Sequence, residues 1–142
     1  MTAHTILDTG PLVAFLNASD SHHEWVVLQW GRLKPPLLTC DVVLSEACFL
    51  LQARGHDPAV VIDMVARGAV RPEFSLANEA DAVRRLMRRY TDVGASLADI
   101  CLVRMSELHS NCRVLTIDSE FLIYRRDGRR TIPLIAPFDA RS

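Results

Sequence analysis

Four carboxylates stand where an acidic site would be assembled. Asp8 closes the apolar run Thr5-Ile6-Leu7, and Asp118 closes Arg113-Val114-Leu115-Thr116-Ile117. In an open parallel sheet, ligands bind beyond the carboxyl ends of the strands, near the point where strand order reverses. Two strand-end aspartates can therefore face one cleft, although aspartate after a strand also serves as a turn former or helix cap. Glu46 lies within Val42-Val43-Leu44-Ser45-Glu46-Ala47-Cys48-Phe49-Leu50-Leu51, and its neighbours at helical spacing are Val42, Phe49, Leu50 and Ala53. A carboxylate on so apolar a face is costly unless it reaches solvent, is neutralised, pairs with an arginine or binds a cation. Asp99 stands three residues after Ser96, a spacing that resembles a capping box. Four unpaired acids in one cleft would repel one another and raise each other's pKa. A hard divalent cation removes that conflict. Magnesium and manganese favour oxygen ligands, and magnesium keeps several waters, so a few carboxylates suffice. An ion held this way activates water and stabilises charge on phosphate oxygens, the chemistry of metal-assisted phosphodiester hydrolysis.

The elements that would position these acids can be read from apolar runs and their punctuation. Thr5–Leu7, Leu37–Cys40, Val70–Phe74, Arg113–Ile117 and Ile132–Ile135 read as short strands, the third weakened by Pro72 and so suited to an edge. Between them, Pro11–Asn17 and a segment reaching about Arg32 read as helices. Asp41 is placed to cap a helix running through Arg54, and Gly55 to stop it. Asp57-Pro58 opens another helix that Gly68 ends. Ala77–Tyr90 is amphipathic and rich in arginine, and Ser96 caps a helix running to about Ser110. Strands alternating with helices argue for an α/β fold with a parallel sheet and helices on both faces. No internal repeat or linker divides the chain, so residues 1–142 are expected to form one domain.

Composition agrees and excludes several classes. At 142 residues, 49% hydrophobic and 23% charged, the chain is expected to pack one soluble core. A net charge of −1 argues against gripping nucleic acid by bulk charge. Fifteen of the 16 basic residues are arginine, leaving Lys34 as the one candidate for lysine chemistry, in a segment that reads as a loop. Cys40, Cys48, Cys101 and Cys112 form no C-x-x-C pair and read as thiols of a reducing compartment. No H-x-x-x-H spacing suggests zinc, and His22 and His23 read as surface residues. No basic leader or membrane-length apolar run is present, so a cytoplasmic location is expected. Phosphate-cradling glycine motifs and a G-x-S-x-G nucleophile elbow are also missing.

Four segments together carry a family resemblance: Ile6-Leu7-Asp8-Thr9-Gly10-Pro11-Leu12, the acidic helix position Glu46, Ser96-Leu97-Ala98-Asp99-Ile100, and Leu115-Thr116-Ile117-Asp118-Ser119-Glu120-Phe121. In order and separation they resemble PIN-domain ribonucleases, and among those the VapC-type toxins of bacterial toxin–antitoxin pairs. The resemblance spans nearly the whole chain. It implies a PIN-like α/β/α sandwich around a mainly parallel sheet of about five strands. It also implies a four-acid catalytic site of Asp8, Glu46, Asp99 and Asp118. Asp8, Asp99 and Asp118 would be ligands to Mg2+ or Mn2+, with Thr116 orienting an acid or a water and Glu120 auxiliary. An RNA substrate, a homodimer and a small antitoxin that occludes the cleft complete what the family implies.

Arginines are the remaining chemical feature. Arg84, Arg85, Arg88 and Arg89 form a stripe that reads as a solvated helix face paired with Glu79 and Asp81. Arg125, Arg126, Arg129 and Arg130 bracket Asp127-Gly128, which reads as a turn. Because arginine's planar fork suits phosphate, Arg125 and Arg126 are expected to contact RNA. Two other readings remain open at this level. One is a PIN-like module that binds RNA or protein without cleaving. The other is a phosphatase on a similar sheet, for which Asp8 lacks a D-x-D partner.

Overall fold

Asp8 and Asp118 owe their placement to two adjacent central strands. In the computed structural model, which describes residues 3–138, β1 (His4–Leu7) pairs with β4 (Cys112–Leu115) through Ile6↔Val114 and Leu7↔Leu115. On its other side β1 pairs with β2 (Leu37–Thr39), and β2 pairs with β3 (Val70–Pro72). A last short strand, β7 (Leu134–Ile135), joins β4. The order is β3-β2-β1-β4-β7 and every pairing is parallel. Pro72 lies on the edge strand β3, where its missing N–H costs no ladder bond. Ile6, Leu7, Leu37, Leu38, Val114 and Leu115 are all buried, as strands covered on both faces require.

Six helices flank the sheet: α1 (Thr9–Leu16), α2 (His23–Trp30), α3 (Asp41–Ala53), α4 (Ala59–Ala66), α5 (Leu76–Arg89) and α6 (Leu97–Leu108). Between β4 and β7 the chain adds a 3-10 turn, Ser119–Leu122, and a small hairpin of β5 (Arg125–Arg126) and β6 (Arg130–Thr131). The turn expected at Asp127-Gly128 is the tip of that hairpin, with both residues at positive φ. No described helix is long and apolar enough to cross a membrane.

Several boundaries differ from the sequence reading for local reasons. Asp41 is the first residue of α3 rather than its cap; the extended residue before it is Cys40, and Asp41 instead places a negative charge at the helix N-terminus. Ser75 caps α5 through the Asn78 N–H at 3.2 Å, starting that helix one residue early. Val27 and Leu28 of α2 are exposed, while Trp30 stacks on Phe15 with ring centroids 4.0 Å apart. All four cysteines are free thiols, and three of them are buried.

Candidate metal centre

Strand order fixes where a cleft must open. The chain runs outward from β1 to β2 and β3, then returns across β1 to β4. The topology therefore reverses between β1 and β4, and the carboxyl ends of those two strands carry Asp8 and Asp118. An open cleft of about 360 Å³ lies there. Asp8, Glu46, Asp99, Asp118 and Glu120 all line it, and so do Thr9, Gly10, Ser96 and Ile117. Every carboxylate expected from the sequence reaches this one cleft, and among the described residues that line it none is lysine, arginine or histidine.

Asp8 is the floor of the site. It is 5% exposed, and both its oxygens are engaged: Oδ1 accepts from the Thr9 N–H at 2.7 Å and Oδ2 from Thr116 Oγ1 at 2.7 Å. Thr116 Oγ1 in turn accepts from the Asp118 N–H at 2.9 Å. One hydroxyl thus couples the two strand ends. Burial pushes the Asp8 carboxyl up to about 7, with the charges of Asp99 and Asp118 adding to the rise and its two hydrogen bonds opposing it.

Asp99 sits in the first turn of α6 because Ser96 caps that helix, its Oγ accepting from the Asp99 N–H at 3.0 Å. The Asp99 side chain points inward, where Tyr124 Oη donates to Oδ2 at 2.8 Å. Burial raises its pKa above the ordinary carboxylate value, and Asp118 and Glu120 raise it further. Asp118 caps the 3-10 turn, with Oδ1 accepting from the Glu120 N–H at 2.9 Å. That tight turn brings Glu120 back beside Asp118. One oxygen from each of Asp99, Asp118 and Glu120 lies within 4.8 Å of the others, the spacing of a carboxylate set closing on a single cation.

Compared with the ligand set expected from sequence, Glu120 is part of the tightest trio and Asp8 lies outside it, beneath. Glu46 is on the wall formed by α3. Its partner is Thr9, whose Oγ1 donates to Glu46 Oε1 at 2.9 Å, rather than an arginine. Its helical neighbour Phe49 is 69% exposed, so the face of Glu46 opens to the cleft instead of being sealed in the core. Gly10 allows the start of α1 to approach the Asp118 segment: a Cβ there would lie 2.8 Å from Ile117 Cγ1.

The arginines lie apart from these acids. Arg126, expected to contact RNA, is 5% exposed, and its Nη2 donates to the carbonyl oxygens of Ser106, His109 and Ser110. Those are carbonyls at the end of α6, so Arg126 is a buried helix cap and is not presented at the surface. Arg125 is half-buried, and its Nη1 donates to the carbonyls of Leu122, Ile123 and Tyr124. In the α5 stripe Arg84 pairs with Asp81 as expected, but Glu79 pairs with Arg104 of α6 at 2.7 Å. Sequence reasoning gave no role to Thr9 or Tyr124. Thr9 at least follows Asp8 directly, whereas no spacing signal connects Tyr124 to Asp99.

The donor chemistry fits a hard divalent cation. Five carboxylates converge, their orienting partners are neutral hydroxyls and N–H groups, and no described lining residue supplies a compensating positive charge. Comparison with protein families gives a match to the PIN domain over residues 5–127. No curated protein matches the chain. The family match covers most of the sequence, and the chain belongs to the PIN-domain family, whose members are in general nucleases that use divalent metals.

Proposed function

We propose that this PIN-domain protein is an endoribonuclease dependent on Mg2+ or Mn2+, and that it acts as the toxin of a bacterial toxin–antitoxin pair. The observation that carries the nuclease reading is the trio Asp99, Asp118 and Glu120 closing to within 4.8 Å above a buried Asp8. A module that only bound RNA or protein would gain nothing from like charges crowded in a half-buried cleft.

In this reading Asp99, Asp118 and Glu120 hold the cation, and Asp8 adds negative charge from below. When bound, the ion lowers the pKa of a water and offsets charge on the phosphate. The remaining work belongs to the chain. Thr116 holds Asp8 and the Asp118 backbone in register through its single hydroxyl. Glu46, fixed at Oε1 by Thr9, orients a water in the cleft and accepts its proton. Arg125 is the arginine of the hairpin pair that remains for phosphate contact. The toxin role, the homodimer and the occluding antitoxin rest on the resemblance of the four motifs. Exposed Phe49, one turn beyond Glu46, supports a partner at the cleft rim.

The test is cleavage of a total RNA pool by purified protein in magnesium, manganese or EDTA, repeated with Asp8→Asn, Asp99→Asn and Glu120→Gln. Metal-dependent cutting that the folded variants lose is the expected result. No cutting by the wild type, together with no manganese uptake by calorimetry, would refute the reading.

A further inference from the structure

Tyr124 is a fully buried tyrosine whose hydroxyl ends on a carboxylate. Its ring is clamped edge-on by two others: Tyr90 at 5.1 Å and 75°, and Phe121 at 5.1 Å and 90°. With the ring so fixed, the hydroxyl has little freedom, and it donates to Asp99 Oδ2 at 2.8 Å.

The connection matters because of what lies at the other end of Tyr124. Its backbone leaves the 3-10 turn that carries Asp118 and Glu120: the Ile123 N–H donates to the Glu120 carbonyl at 2.8 Å and the Tyr124 N–H to the same oxygen at 3.4 Å. Asp99 comes from a different element, α6. The phenol is thus a strut between the two segments that together supply the carboxylate trio. It is also neutral, so it fixes Asp99 without cancelling the charge a cation needs.

We propose that Tyr124 is a positioning residue for the metal centre, setting the Asp99 carboxylate at the distance from Asp118 and Glu120 at which the three close on one ion. The inference rests on the metal reading of the cleft and adds to it a residue that touches neither ion nor substrate. Partners that orient metal ligands typically change metal affinity 10–100-fold when removed.

The test is Mn2+ affinity by titration calorimetry of the wild type, Tyr124→Phe and Tyr90→Phe. Tyr124→Phe removes only the strut's hydroxyl. Tyr90→Phe removes a hydroxyl from the same aromatic cluster, one that accepts the Arg125 N–H at 2.8 Å and does not touch Asp99. The expected result is a loss of about tenfold or more in Mn2+ affinity for Tyr124→Phe and none for Tyr90→Phe. Unchanged affinity in Tyr124→Phe, or an equal loss in both variants, would overturn the inference while leaving the metal reading intact. Failure of the wild type to bind Mn2+ would overturn both.

Discussion

Replacing Asp8 by asparagine should make the metal-free protein more stable at pH 8 and leave its stability nearly unchanged at pH 5. The carboxyl is held at about 7 in the folded chain, against about 3.9 for an unfolded aspartate. Between those values the folded state binds a proton that the unfolded state has released. Stability of the wild type therefore falls as pH rises through this window, and the loss is complete above the folded value. From pH 5 to pH 8 the unfolded carboxyl is ionised throughout, while the folded one ionises near the end. Roughly two pH units at about 1.4 kcal/mol each give a loss of about 3 kcal/mol. The asparagine side chain has no such titration. Its Oδ1 can still accept from the Thr9 N–H, but its Nδ2 meets the Thr116 hydroxyl that now donates to Asp8 Oδ2. That mismatch costs about 1 kcal/mol at every pH. The wild type has already lost about 1.5 kcal/mol between about pH 3.9 and pH 5, so the variant should roughly match it at pH 5 and lead it by about 3 kcal/mol at pH 8. Urea denaturation of both proteins in EDTA at the two pH values measures the difference directly, and background titrations common to both cancel. Adding Mn2+ at pH 8 should return the advantage to the wild type, because the ion stabilises only the state that binds it. A stability difference that did not change with pH in EDTA would refute the argument that Asp8 is a strained, buried charge.

Two further substitutions test how the cleft is held. Arg126→Met keeps the aliphatic volume but leaves the Ser106, His109 and Ser110 carbonyls without their donor; a loss of about 2–4 kcal/mol in urea denaturation is expected, with RNA binding by the folded protein unchanged. Normal stability with impaired RNA binding would restore the surface role read from sequence. Gly10→Ala places a Cβ 2.8 Å from Ile117 Cγ1 and 3.0 Å from its Cδ1. The expected cost is about 1–3 kcal/mol, with Mn2+ affinity falling as Ile117 displaces the adjoining Asp118; a melting temperature and affinity equal to wild type would show that the segment has slack.

What could be read from sequence was what depends on local order. Asp8 and Asp118 follow apolar strands, and the alternation of strands and helices puts those strands in a parallel sheet, so their shared cleft follows from topology. Ser96 advertises its helix start by a capping spacing that the Asp99 N–H satisfies. The misreadings share a cause, which is that the partner lies far away in sequence. Arg126 looked like one of four surface arginines, yet its partners are carbonyls at and just past the end of α6, 16 to 20 residues earlier. Tyr124 and Asp99 are 25 residues apart and meet only once the 3-10 turn folds back beside α6. Glu120 looked subsidiary to Asp8, because a tight turn's ability to bring two acids together is a matter of backbone angles and not of spacing.

The choice of orienting groups explains why this cleft suits a cation. Thr9, Thr116 and Tyr124 each donate a neutral hydroxyl to one of the acids, while Arg104 is held on Glu79 and Glu107 and Arg126 on the end of α6. An arginine in place of any of these hydroxyls would fix a carboxylate equally well, and at first sight more strongly, since charge-assisted bonds are the stronger ones. It would also neutralise that carboxylate and remove the field that draws a divalent ion into the cleft. Hydroxyls settle the geometry and leave the charge. The folded protein accordingly keeps a site that is unfavourable when empty, as the raised pKa values of Asp8 and Asp99 record. Binding a cation relieves that repulsion, so the stability given up in building the site returns as metal affinity.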